Sequence, residues 1–324
     1  MQSPSFVQFK DLLRRRAWDD AVSLARREAD SGGPGEAFWY TQQAVALNRK
    51  KSWNEAQAAA EKSLTLKPHN PWALLALGDA LLGRRRLKEA IEVLEEAAAD
   101  RDERAAQRAR ERLCEALART KQWERLRSCA AGGQLPPSRR IRFQAMAASG
   151  LGHHREAVGL CREALSGEPD NKEILWLMTE AEIAIEGLEP VRVRMGRLAR
   201  IPSRPPIYGR IYASLCRRAG VHDDAIRQYE SLRTREGGAD ATQKKAFLLA
   251  KSGKEKEAIP LLEELIRSDI ANFVQHNAYI GACARAAELH RAEAFYTELQ
   301  SLHPEHRPLY GRLRDVRKRM ERSA

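Results

Sequence analysis

A chain of 324 residues with 43% hydrophobic and 6% aromatic content is too apolar for a disordered segment and too poor in Gly and Pro for a linker protein. It has no run of about 18 apolar residues that could span a membrane. The formal charge of +12 leaves two readings: arginine-rich helix faces that are simply solvated, or a surface built for acidic partners.

The N-terminal stretch MQSPSFVQFKDLLRRR becomes basic where a signal peptide would be apolar, so a cytoplasmic location is expected. Repeat one begins near Ser5, with Phe9 and Leu12 on one helical face, and SGGPG at 31–35 breaks the chain before the next helix. The whole chain carries a period. A small residue early in a helix recurs at Ala21, Ala56, Ala90, Leu126, Ala157, Val191, Ala225, Ala258 and Ala292, at separations of 35, 34, 36, 31, 34, 34, 33 and 34. The fourth and sixth units are degenerate, since Leu126 and Val191 replace the small residue. Acidic residues cluster just before most markers (WDDA, WNEA, LKEA), as the positive end of a helix dipole favours. Pro68, Pro169 and Pro304 lie twelve residues past a marker, where they stop one helix.

The most regular stretch is NPWALLALGDALLGRRRLKEAIEVLEEA, from Asn70 to Ala97. Leu74, Leu77, Gly78 and Leu81 fall on one face of a first helix, and Ala90, Leu94 and Ala97 on one face of a second. Gly78 and Ala90 mark a close approach of the two axes. This pattern resembles the tetratricopeptide repeat, a 34-residue helix–turn–helix unit. The resemblance implies an all-α fold: a right-handed α-solenoid of nine helix pairs with a C-terminal capping helix. Repeats one to six are expected over 1–201, a proline-rich connector or bend at 202–206, repeats seven to nine over 207–306, and a basic capping helix over 307–324. Leu309, Leu313, Val316 and Met320 give that last helix one apolar face.

Chemistry is not expected. Gly78 and Gly83 form a GxxxxG inside a helix pair and lack the Lys-Ser/Thr of a phosphate loop. Five scattered cysteines contain no CxxC, so neither a zinc site nor a disulfide framework is expected, and Cys114, Cys161, Cys216 and Cys283 fall on helix packing faces. His153, His154, His303 and His306 lie in turns. The pairs Glu95–Glu96 and Glu263–Glu264 read as solvated helix faces. The expectation is a non-enzymatic protein with no metal and no cofactor.

In proteins that this chain resembles, the first helix of each repeat lines a concave groove that holds a partner segment. Counting back from each marker places Phe38, Trp72, Trp176 and Phe247 on that wall. Basic residues there are Lys10, Arg14, Arg49, Arg119, Arg139, Arg142, Arg210, Arg217, Arg218, Lys251 and Arg285, against Asp79, Glu111, Glu115, Glu173, Glu180 and Asp240. Seven residues before the marker, six repeats carry Arg or Lys, a basic ridge with RRR at 84–86. Family members that grip chaperone C-termini use lysines and asparagines. Here the corresponding positions offer Thr41, Val45, Leu75 and Asp79, with Arg108 and Arg112 matching in part. The leading expectation is an interaction scaffold or adaptor that binds an acidic extended segment or helix of a protein partner. The alternative is a basic helical-repeat array that binds RNA or single-stranded nucleic acid.

Overall fold

The computed structural model describes residues 3–132, 135–236 and 238–323. Among them are nineteen helices and no strand. The chain divides into two compact units, one up to Ile185 and one from Glu186 on. The first holds α1 (Pro4–Arg14), α2 (Trp18–Asp30), α3 (Glu36–Lys50), α4 (Trp53–Leu66), α5 (Pro71–Gly83), α6 (Leu87–Ala98), α7 (Glu103–Arg119), α8 (Trp123–Ala131), α9 (Pro137–Gly150), α10 (His154–Gly167) and α11 (Lys172–Glu186). The second holds α12 (Leu188–Ala199), α13 (Pro206–Arg218), α14 (His222–Glu236), α15 (Ala239–Lys251), α16 (Glu255–Ser268), α17 (Phe273–Arg285), α18 (Leu289–Leu302) and α19 (Pro308–Ser323). It is an all-α repeat array.

All nine marker residues occupy the same place. Each is the fourth residue of an even-numbered helix, and each is 0% exposed. Leu126 and Val191 are as fully enclosed as the alanines, so the two degenerate repeats keep the packing with a larger side chain. Gly78 does mark a close approach of α5 to α6, and the side chain it meets is Leu94: a methyl group added there would lie 2.5 Å from Leu94 Cδ2.

The turns inside the pairs are equally regular. The N–H groups of Ala17, Ser52, Arg86, Gln122, His153, Val221, Lys254 and Glu288 each donate to the carbonyl five residues earlier, at 2.8–3.0 Å. The residue before each has a positive φ, from 57° at Lys121 to 83° at Gly152. This pairing satisfies a helix C-terminus through a left-handed residue, which costs least for glycine. Only three of the eight positions are glycine; Arg16, Lys51, Arg85, Lys121 and Ala287 hold the others. The sixth turn differs, with Gly187 at φ 87° and ψ 169°.

The division between units falls at this sixth turn, ahead of the proline run at 201–206. The reason lies in what surrounds that run. Gly196 of α12 sits so close to the Tyr212 ring of α13 that an added methyl would meet it at 2.8 Å. The Arg235 guanidinium also donates to the carbonyls of Pro202 and Arg204, both at 3.3 Å. At the end of the second unit, α19 packs on α18 and buries Leu309, Leu313 and Val316, while Arg314, Lys318 and Arg319 face water.

Candidate functional site

In the first unit α3, α5, α7 and α9 stand side by side and enclose a hollow of about 540 Å³. Val45, Leu75 and Trp72 give it an apolar floor, and Arg49, Arg108, Arg112, Arg119 and Arg139 face Asp79, Glu111 and Glu115 across it. Local chemistry fixes the tryptophan. Asp102 caps the start of α7, with Oδ1 accepting from the N–H groups of Arg104 and Ala105 at 3.0 and 3.1 Å. Its Oδ2 accepts from Trp72 Nε1 at 2.9 Å, and the Arg108 guanidinium lies 5.4 Å from the indole centroid. The Ala105 N–H and then the indole N–H hold the Asp102 carboxyl below its ordinary pKa.

Much of the charge on this wall is neutralised within it. Arg112 pairs with Asp79 at 2.8 Å and with Glu115 at 3.0 Å, and Arg139 with Glu111 at 3.2 Å. Burial pushes the Asp79 carboxyl up in pKa, against the pull of Arg112. Among the described residues no carboxylate comes within ion-pair distance of Arg49, Arg108 or Arg119. Asn48 Nδ2 donates to the Ala76 carbonyl at 2.8 Å, while its buried Oδ1 accepts nothing from the described residues.

The residues expected on the inner wall separate into groups. Arg49, Trp72 and Arg119 meet in this hollow. Arg119 also lines a smaller depression with Arg142 and Phe143, where Arg142 is paired with Glu173. Trp176 is half-buried on α11. Phe38 is 40% exposed and packs edge-on against Phe6 and Trp39, in the aromatic cluster of the first pairs and apart from the hollow. In the second unit Phe247, Lys251 and Arg285 share a separate depression, with Arg285 held by Glu255 at 2.8 Å. Arg210 is paired with Asp240 at 2.8 Å, and Arg217 and Arg218 are exposed at the end of α13.

Two features of the basic ridge have a structural explanation. Arg285 Nη2 donates to the Ala250 carbonyl at 2.8 Å and Arg119 Nη1 to that of Leu82 at 3.4 Å. Both carbonyls belong to the last turn of the preceding odd-numbered helix, where cations complement the dipole. In repeats three and five the same position is Gly83 and Gly150, and the rings of Trp53 and Trp123 fill the space: an added methyl would meet them at 2.3 and 2.2 Å. One carboxylate expected to be solvated is not. Glu263 is 13% exposed, takes both arms of Arg291 at 2.9 and 3.0 Å, and accepts from the Tyr279 hydroxyl at 2.9 Å.

Residues 47–113, which include most of the hollow, match the family model described as tetratricopeptide repeat. Those residues are tetratricopeptide repeats. No curated protein matches the chain. A crystal structure of a tetratricopeptide repeat protein from Parabacteroides merdae is 13% identical and covers 86% of this chain and 98% of its own, with a TM-score of 0.45. The anaphase-promoting complex hetero-tetramer Cut9–Hcn1 is similar at 13% identity, covering 86% of this chain and 55% of its own, with a TM-score of 0.45. Tetratricopeptide arrays are in general protein–protein interaction scaffolds. No helix of the described residues is long and apolar enough to cross a membrane.

Proposed function

We propose that the hollow between α3, α5, α7 and α9 holds an extended, acidic segment of a protein partner, and that the protein serves as a non-enzymatic scaffold. One observation carries this reading. Three arginines that form no ion pair with a described carboxylate, Arg49, Arg108 and Arg119, line the hollow with a half-buried tryptophan whose indole N–H is held by Asp102 and whose ring meets the Arg108 guanidinium. An aromatic anchor with surrounding cations suits a chain of carboxylates interrupted by an apolar side chain. The unsatisfied Asn48 Oδ1 is an acceptor suited to a backbone N–H of such a segment.

The test is fluorescence anisotropy with labelled acidic peptides that contain one large apolar residue, at two salt concentrations. Trp72→Ala is expected to weaken binding by about 1–3 kcal/mol, mainly through faster dissociation. Arg49→Ala with Arg119→Ala should slow association and flatten the salt dependence. Binding unchanged by all three substitutions, or tight binding of single-stranded RNA with none of the peptides, overturns the reading.

A further inference from the structure

Cys114 of α7 and Cys129 of α8 are fifteen residues apart, with no motif to connect them. The fold brings their sulfurs to 3.3 Å, both as free thiols. Cys114 is fully enclosed, whereas Cys129 is half-buried beside it. The remaining cysteines, Cys161, Cys216 and Cys283, are buried on three other helices.

The two thiols are not equivalent. The Cys114 S–H donates to the Cys129 sulfur, and with the Arg110 guanidinium nearby this lowers the pKa of Cys129. The same bond, followed by burial, raises that of Cys114. The more accessible sulfur is therefore also the one that ionises first, and the thiolate is the reactive form.

We propose that Cys114 and Cys129 form a redox-responsive dithiol that a small dissolved disulfide of the glutathione class oxidises to an intramolecular disulfide, tying α7 to α8. The Cys129 thiolate attacks one sulfur of the disulfide, forming a mixed disulfide and expelling one thiolate, which takes up the proton that Cys129 gave to solvent. Cys114 then loses its proton and attacks the Cys129 sulfur, expelling the second small thiolate, which is protonated in turn. Two protein thiols and one small disulfide become one protein disulfide and two small thiols, so the protein is oxidised by two electrons. Closing the bond draws the sulfurs from 3.3 Å to about 2 Å. The link spans the least regular pair in the first unit, where α8 is only nine residues long and Leu126 replaces the small marker. It also fixes α7, which carries Arg108, Arg112 and Glu111 on the wall of the hollow.

The test uses the full chain, reduced with a phosphine and equilibrated in buffers of oxidised and reduced glutathione. Intact mass should fall by two hydrogens, a digest should yield one cross-linked peptide joining 114 and 129, and dithiothreitol should reverse both. Amide exchange in α7 and α8 should slow on the order of 100-fold upon oxidation, as expected for a closed loop of this length. Cys114→Ser should stop at a glutathione adduct on Cys129. A wild-type chain that keeps its mass in oxidised glutathione, retains an adduct on Cys129, or cross-links through Cys161, Cys216 or Cys283 overturns the assignment.

Discussion

Replacing Gly78 with alanine tests the packing on which the whole array rests. Gly78 lies in the middle of α5, and its missing side chain leaves room for Leu94 of α6. The new methyl would sit 2.5 Å from Leu94 Cδ2 and 2.6 Å from Cγ, more than 1 Å closer than carbon atoms pack at rest. Leu94 is 0% exposed and belongs to the main core of the first unit, so it has no empty space to turn into. Overpacking of this kind costs about 1–3 kcal/mol, and full enclosure puts Gly78 at the upper end. Alanine returns about 1 kcal/mol of helix propensity. The net expectation is a loss of about 2 kcal/mol.

The same exchange at Gly159 supplies the control. Gly159 is exposed inside α10, with nothing within 4 Å of an added methyl. Only the propensity gain applies, and Gly159→Ala should stabilise by about 1 kcal/mol. Because a repeat array need not unfold in one step, hydrogen exchange of α5–α6 and α10 peptides is the proper readout. Exchange should rise at least tenfold in α5–α6 for the first variant and fall in α10 for the second. If both substitutions stabilise, the close approach of α5 and α6 is not what limits position 78, and the packing argument fails.

Other expectations follow from single sites. Ala287 is the one alanine among the left-handed turn residues, at φ 58°, so Ala287→Gly should stabilise the α17–α18 pair by about 1 kcal/mol, read as slower exchange there. His276 is buried, with Nε2 donating to the Ile270 carbonyl at 3.0 Å and Nδ1 accepting from the Tyr296 hydroxyl at 2.9 Å, and burial lowers its pKa. As pH falls through about 6.5 the unfolded chain binds a proton that the folded site refuses, so the stability of the second unit declines with acidification until the folded pKa is reached. Urea titrations at pH 7.5 and 5.5 should show a larger loss for the wild type than for His276→Gln. Asp102→Ala removes both the α7 cap and the indole acceptor, and Trp72 fluorescence should become more accessible to an added quencher, with no such change for Asp100→Ala.

The fold was legible because one position per repeat tolerates no water and little volume. A marker that is fully enclosed nine times leaves its period in the sequence even where Leu126 and Val191 enlarge it. The left-handed turns left no such trace. Arg16, Lys51, Arg85 and Lys121 adopt them because the bond to the carbonyl five residues back outweighs the strain, and composition does not record that balance. Of the lining of the hollow, Arg49, Trp72 and Arg119 were readable from their distance to the marker. Arg108 shows in the sequence only as a partial match to a clamp, because its contact is with Trp72, thirty-six residues away. Cys129 was hidden for the same reason: fifteen residues of sequence separate it from Cys114, and only the antiparallel return of α8 removes the gap. Glu263 read as a surface carboxylate because its neighbour Glu264 is one.

The structure also changes what a net charge of +12 can mean for a partner. Eleven basic residues fall on the inner wall by sequence, but Arg139, Arg142, Arg210 and Arg285 each meet a carboxylate, and Arg285 also caps a helix. A cation already engaged in this way adds little to the attraction of a distant anion. Were the six in the first unit, Lys10, Arg14, Arg49, Arg119, Arg139 and Arg142, to meet phosphates of a single strand, log affinity would fall against log salt with a slope of about −4; if only Arg49, Arg108 and Arg119 contribute, the slope would be about −2. Titrating a labelled single-stranded RNA and an acidic peptide between 50 and 300 mM salt, about a 2.4-fold span of Debye length, therefore measures how far the internal pairs hold. A slope near −2 with loss of binding in Trp72→Ala places the contact in the hollow. A slope near −4 would mean that the ion pairs open in favour of phosphate, and the basic residues of the first unit would then have to be taken as a nucleic-acid surface after all.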